Sequence, residues 1–177
     1  MTSLTMTDAA YFTSGMLAGA QAVAGYIGGP DADHVWADSD WKATGTRPKL
    51  PIWVPAASAT ATEARAEVLD VLNSCLHYHI PRGQAIAFDL ETSKADASYM
   101  QMMSSSLAFF GYGTVIYGSA STIGADSLGY LWKWDADWTG SMHLTAGCVA
   151  TQWENGDQWD TSEVSEQLFG ALLWKTY

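Results

Sequence analysis

Basic residues are scarce in this chain: eight Lys and Arg stand against 19 Asp and Glu, for a formal charge of −11. None of the bases form a run, so the clustered cationic footprint that nucleic-acid phosphates require is missing. Nucleic acid is excluded as a partner, and the acidity on its own serves solubility. No apolar stretch approaches the roughly 18 residues that span a bilayer, so no membrane is expected either. The segment Met1 to Ala10 holds no Lys or Arg and no apolar core, so no Sec signal is expected. The expected location is cytoplasmic until release, or within a virion. Two cysteines, Cys75 and Cys148, make no disulfide framework and read as small core residues. The sequence contains no H-E-x-x-H, C-x-x-C, Walker A or G-x-S-x-G pattern. His34, His77, His79 and His143 are scattered, and His77 and His79 close a helix, where the dipole favours a cation. No metal site and no cofactor are expected.

What remains is a chain of 177 residues, 48 % hydrophobic, without repeats, linkers or low-complexity segments. That suits one domain, 1–177, with a sizeable core. Nine Trp is a high number for this length. They fit two uses equally, as large core residues or as the lining of a sugar-binding groove.

Strands alternate with helices along the chain, which predicts a parallel sheet covered by helices. Leu4 to Asp8 reads as a first strand, Ser14 to Ala24 as an Ala-rich helix, and Val23 to Ile27 as a strand closed by Gly28-Gly29-Pro30. Asp38 to Lys42 reads as a helical turn and Pro51 to Pro55 as a short strand. Thr60 and Glu63 form a capping box that opens a helix. Val68, Leu72, Cys75 and Leu76 give that helix one apolar stripe, and Pro81 and Gly83 end it. A second long helix is predicted from about Ala95 to Phe110, its Met100, Met102 and Met103 read as packing. Further strands are predicted over Thr114 to Tyr117, Gly129 to Trp134, Cys148 to Trp153 and Trp159 to Val164, then a helix over Glu163 to Trp174. This amounts to about eight strands with several helices short or missing, an α/β fold of the compact TIM-like (β/α)8 barrel type, compressed from the usual 250 or so residues.

The strand Ala85 to Glu91 carries the sharpest chemical signal. Side chains alternate along a strand. Ile86, Phe88 and Leu90 therefore share one face and belong under helices, while Ala85, Ala87, Asp89 and Glu91 share the other. Small residues leading to two acids at a strand's C-terminal end are what a barrel interior opening into an active-site mouth requires. The two carboxylates lie roughly 6.5–7 Å apart along the backbone. Such proximity raises at least one pKa, and a carboxylic acid held protonated near neutral pH can protonate a glycosidic oxygen. A D-x-E pair alone is more commonly two solvated acids at a strand end.

A series of short motifs follows in order: Thr7-Asp8-Ala9-Ala10, Asp89-Leu90-Glu91, Ile116-Tyr117-Gly118-Ser119, Leu131-Trp132-Lys133-Trp134-Asp135, Ala150-Thr151-Gln152-Trp153 and Trp159-Asp160-Thr161-Ser162. This series resembles the glycoside hydrolase family 25 lysozymes. Gly25-Tyr26-Ile27-Gly28-Gly29 and Leu50-Pro51-Ile52-Trp53-Val54 are similar to a related actinobacterial and actinophage glycoside-hydrolase-like group. The resemblance covers nearly the whole chain. It implies a muramidase-like enzyme that cleaves the β-1,4 bond of peptidoglycan or a similar aminosugar polymer. Glu91 would be the general acid/base, and Asp89 would orient the substrate's 2-acetamido group or stabilise the transition-state charge. Asp8 and Asp160 would flank the cleft; Tyr26, Tyr117 and Gln152 would line it, and Trp134 and Trp153 would stack on sugar rings. The nucleophile, a carboxylate or the substrate's acetamido oxygen, stays open. Lys133 departs from the family's pattern in its segment. Two other readings share the barrel: a non-catalytic cell-wall or glycan-binding module, and a structural protein of a larger phage or cell-surface assembly.

Overall fold

The computed structural model describes residues 4–56, 60–91, 97–124 and 131–171. Eight strands close into a barrel in sequence order: β1 (Leu4–Asp8), β2 (Ala22–Gly28), β3 (Lys49–Trp53), β4 (Ala85–Asp89), β5 (Gly113–Gly118), β6 (Trp132–Ala136), β7 (Ala150–Glu154) and β8 (Asp160–Val164). The helices are α1 (Asp38–Ala43), α2 (Ala61–His77), α3 (Ala97–Phe109), α4 (Ala120–Ile123) and α5 (Glu166–Ala171). Ala95, Gly129 and the end of the predicted last helix, including Leu172 and Trp174, lie outside the described residues.

Neighbouring strands from β1 to β7 are parallel, whereas β8 runs antiparallel to both β7 and β1. The eighth strand thus returns by a hairpin and needs no crossover helix. With strand closure complete, no edge is left open.

Alternation sorts the core into two parts. Inside the barrel lie Met6, Ala22, Ala24, Leu50, Ile52, Ala85, Ala87, Val115, Tyr117, Trp134, Ala150 and Val164. The many alanines leave room for Trp134, which has no exposed surface and donates its indole N–H to Ser162 Oγ at 3.0 Å. Outside the barrel, Ile86, Phe88, Leu90 and Ile116 pack under α2 and α3, against Val68, Val71, Tyr99, Met100, Met103 and Leu107. The two faces expected for β4 are those observed.

Two helical expectations change. Ser14 to Ala24 holds only a 3-10 turn at Ser14–Leu17 before β2 begins at Ala22. Gly19, with φ +79°, breaks the chain there. The alanines that read as helix-formers are needed as small barrel-interior residues. In α2, Leu76 is 72 % exposed, because the buried face is Ala64, Glu67, Val68, Val71 and Cys75. The capping box holds: Glu63 Oε2 accepts the Thr60 N–H at 2.6 Å.

The loop after β2 is anchored by Trp36. A Cβ on Gly25 would stand 2.5 Å from the Trp36 ring, so only glycine lets the indole lie on the strand. Trp36 donates to Ala9 O at 3.0 Å, and its own carbonyl accepts from Tyr78 Oη at 2.9 Å. Between barrel and helices, buried Glu67 accepts from Trp53 Nε1 at 3.0 Å and from Tyr99 Oη at 2.6 Å. One carboxylate thereby ties α2 to β3 and α3. Glu67→Ala strands two buried donors, and we expect a loss of about 3 kcal/mol in urea unfolding, the cost of unmet buried hydrogen bonds to a charged partner. A loss under about 1 kcal/mol would mean that this tie carries little of the fold.

Candidate active site

Because β1 to β7 are parallel, their C-terminal ends form one rim. Asp8 is the last residue of β1 and Asp89 the last of β4, with Glu91 two residues beyond. β8 enters this rim from above, so its first residue, not its last, is the one at the mouth. That residue is Asp160, and it pairs directly across from Asp8. Cross-strand partners place their Cβ atoms about 4.5–5.5 Å apart.

The acids are held unequally. Asp89 Oδ1 accepts the Glu91 backbone N–H at 3.1 Å, and its Oδ2 accepts from Tyr26 Oη at 3.4 Å. The first contact turns the chain at the strand end and sends Glu91 back over the mouth. Glu91 is exposed, and its Oε1 lies 3.0 Å from Tyr117 Oη. Asp160 Oδ1 accepts the Gly156 N–H at 2.9 Å, and Gln152 also bonds to its side chain. Gln152 is the hub, because its Oε1 accepts from Tyr117 Oη and from Trp138 Nε1, the latter at 3.1 Å. Asp8, 5 % exposed, has no donor for its buried Oδ1.

All four carboxyls are pushed above their ordinary pKa, with desolvation the largest cause in each. Asp8 is raised well above 3.8, by burial and then by the charges of Asp160, Asp89 and Glu91. In Asp89 the two donors oppose the effect of burial. Glu91 is raised by desolvation and by the Asp89 charge, against the pull of Tyr117. The hydroxyls of Tyr26 and Tyr117, desolvated beside these acids, are pushed far up and stay protonated. No Lys or Arg among the described residues acts on any of the four acids. Among those residues, no group of three or more His, Cys, Asp or Glu is arranged to hold a metal ion.

The mouth therefore brings together Asp8, Asp89, Glu91, Asp160, Tyr26, Tyr117 and Gln152. Trp134 and Trp153 do not join them as stacking surfaces. Trp134 is wholly buried beneath Tyr117, ring centroids 4.5 Å apart. Trp153 follows Gln152 at a register shift in β7, so alternation turns it from the mouth, half-buried with its indole nitrogen enclosed. Beside Tyr26 and Tyr117, further aromatic groups at the mouth come from loops. Trp138, 54 % exposed, lies two residues past β6 and bonds Gln152. His34 packs between Tyr11 and Tyr26, with centroids 4.7 and 4.9 Å away. Position just beyond a strand's C-terminal end would have pointed to Trp138 over Trp134. No local pattern marks His34.

Among solved structures, the chain is similar to an uncharacterized B. stearothermophilus protein, with TM-score 0.75 and 12 % identity over 97 % of this chain and 100 % of that one. It is also similar to the modular autolysin LytC from Streptococcus pneumoniae, solved in complex with a synthetic peptidoglycan ligand. There the TM-score is 0.68 and the identity 11 %, covering 91 % of this chain but 46 % of LytC, so the chain spans about half that protein. A third is GHIP, a glycosyl hydrolase 25 of Streptococcus pneumoniae, with TM-score 0.68 and 10 % identity over 93 % of this chain and 88 % of that one. Identities this low establish a shared fold. No family model and no curated protein matches the sequence.

The raised pKa of Asp8 has a stability consequence. Folded Asp8 holds its proton more tightly than unfolded Asp8, so above its ordinary value of 3.8 the unfolded chain releases the proton first. Rising pH then favours unfolding until the folded pKa is passed. Asp8→Asn removes this penalty and keeps the shape. In calorimetry we expect its Tm to exceed wild type at pH 7 by a few degrees, at about 2–4 °C per kcal/mol regained, and to match it near pH 3. No gain at pH 7 would mean that Asp8 carries no such burden.

Proposed function

We propose that this chain is a glycoside hydrolase acting on peptidoglycan or a closely related aminosugar polymer, with Glu91 as general acid/base. The observation that carries this reading is the convergence of Asp8, Asp89, Glu91 and Asp160 on one barrel mouth, with Glu91 alone among them exposed. The fold shared with an autolysin and a glycosyl hydrolase 25 supports it. Fold alone does not fix chemistry, so the weight rests on the carboxylates.

The roles follow from the environments. Tyr117 has one hydroxyl proton and two acceptors in reach, Gln152 Oε1 and Glu91 Oε1. Its hydrogen bond to Glu91 favours the charged carboxylate, a pull that weakens as the proton is shared with Gln152. Burial and the Asp89 charge favour the protonated form and raise the Glu91 pKa. A protonated carboxyl at the open rim is what a glycosidic leaving oxygen needs. Asp89, with donors on both oxygens, is better fitted to remain charged than Asp8, which has none on Oδ1. Its place beneath Glu91 suits a carboxylate that stabilises the oxocarbenium-like transition state or orients the acetamido group of the sugar. Asp160 acts through its proximity, its charge adding to that of Asp89 in raising Glu91, while Asp8 is the acid that burial inclines most to keep its proton.

The decisive measurement is release of reducing ends from purified cell walls. Wild type is expected to solubilise them, and Glu91→Gln to lose at least about 100-fold in rate with an unchanged Tm. Undiminished activity in Glu91→Gln removes the assigned acid. Tight binding of walls by wild type with no solubilisation would instead assign the chain as a glycan-binding module.

A further inference from the structure

Lys133 and Asp135 take no part in the mouth. They flank Trp134 on β6, and because Trp134 fills the barrel interior, alternation turns both to the outer wall. A helix usually covers that wall in a barrel of this kind, but here residues 137–149 run from β6 to β7 without one. The segment is fastened nonetheless. Thr145 N–H donates to Thr151 Oγ1 at 2.8 Å, Cys148 N–H to Thr145 O at 3.0 Å, and Val149 N–H to Lys133 O at 2.8 Å. A cavity of about 210 Å³ remains between this segment, α4 and β6, with Ile123, Lys133, Asp135, Thr145 and Cys148 in its lining.

Two features set this cavity apart from a packing gap. Asp135 is only 2 % exposed, yet only its Oδ2 has a partner, the Thr145 hydroxyl at 2.9 Å; Oδ1 is enclosed without a donor. A buried carboxylate oxygen left unmet is costly, and a donor entering beside it removes that cost. The second feature is half-buried Lys133, which brings a cation to the same lining, and no ion pair joins it to Asp135. Both charges act on the Cys148 thiol between them: Asp135 adds to the upward push of burial and Lys133 opposes it. Residues i and i+2 on a strand stand roughly 6.5–7 Å apart. One cation and one anion at that separation, over a cavity below the roughly 300 Å³ of ordinary ligand pockets, suit a small molecule carrying both charges on one carbon.

We infer that this outer-wall cavity binds the zwitterionic head of an α-amino acid, its ammonium on Asp135 Oδ1 and its carboxylate on Lys133. Thr145 holds the Asp135 carboxylate in place, and the apolar lining at Ile123 faces the side chain. Two sources present this head: a free amino acid, and the unlinked side-chain end of a diamino-dicarboxylic acid in a wall stem peptide. The site itself stands apart from the mouth and does not depend on the glycan-directed reading.

The test is calorimetric titration of the whole chain at neutral pH with alanine, with alaninamide, which keeps only the ammonium, and with propionate, which keeps only the carboxylate. Wild type is expected to bind alanine at least about tenfold tighter than either, since each lost charge removes a charge-assisted hydrogen bond. Lys133→Met is expected to weaken alanine by about tenfold and leave alaninamide unchanged; Asp135→Asn is expected to weaken alanine as much and leave propionate unchanged. Both are checked for an unaltered Tm, and Lys133→Met, at the more exposed position, carries the test if Asp135→Asn fails to fold. Glu91→Gln is expected to bind alanine as wild type does, which keeps this site's outcome separate from that of the mouth. A muropeptide with a free diamino-acid end that binds at least as tightly as alanine supports the site with the wall as source; alanine bound and the muropeptide excluded supports it with the free amino acid as source. Alanine bound no tighter than propionate and alaninamide, binding untouched by Lys133→Met, or no saturable binding of alanine or muropeptide overturns the proposal.

Discussion

Four carboxyl groups crowd one barrel mouth with no cation among the described residues acting on any of them, and the upper half of the molecule is arranged around that fact. Like charges in a desolvated space repel, and the simplest relief is to keep protons. The barrel makes the space dry from below. Tyr117 and Trp134 pack at a tilt across the interior, with the Trp134 indole fixed to Ser162 on the far side. The small alanines of β2, β4 and β7 make room for that plug. The acids thus rest on a solid aromatic floor, with Asp8 and Asp89 buried on it, Asp160 half-buried and Glu91 exposed.

The reversed direction of β8 is what completes the set. A parallel eighth strand would bring its C-terminal residue to the rim, here Val164, an apolar side chain. Run antiparallel, the same segment brings Asp160 to the rim and buries Val164 at the bottom, opposite Leu4. The β7–β8 hairpin also shortens the fold, because an antiparallel return needs a turn where a parallel one needs a crossover. One topological choice therefore accounts for both the compact chain and the fourth carboxylate.

How much of this could be read from the sequence depended on whether the signal was local. The strand β4 was legible because side-chain size and polarity both alternate along it: Ile86, Phe88 and Leu90 against Ala85, Ala87 and Asp89. The cap at Thr60 and Glu63 was legible for the same reason, as a pattern four residues long. Asp160 carried no such mark, since an acid at the start of a strand points to a mouth only if that strand runs backwards. Family resemblance placed it where periodicity did not. The segment from Ser14 misled because Ala serves two ends: it is the best helix former, and it is the small residue a narrow barrel needs inside. Trp134 and Trp138 are four residues apart, one with no exposed surface and one 54 % exposed. Which of them faces a ligand depends on where β6 stops, a boundary that sequence patterns fix poorly.

The polarity of charge along the barrel axis points the same way as the crowded mouth. A sequence shaped by stability alone would set its few bases against its acids, yet Arg47 and Lys49 give their N–H groups to backbone carbonyls at the far end. Burial there lowers Lys49 to about 8, the mirror image of the raised acids above. At both ends burial moves an ionisable group from its ordinary range, and in both the burial is built from core strands rather than from loose surface. Strain that persists in a well-packed frame marks a property kept for use, since nothing in the packing requires it. Here what is kept is the upward push that burial and the Asp89 charge give the Glu91 carboxyl at the open rim. That burial and that neighbouring charge together distinguish this mouth from a merely acidic surface, where solvation would leave each carboxyl at its ordinary value.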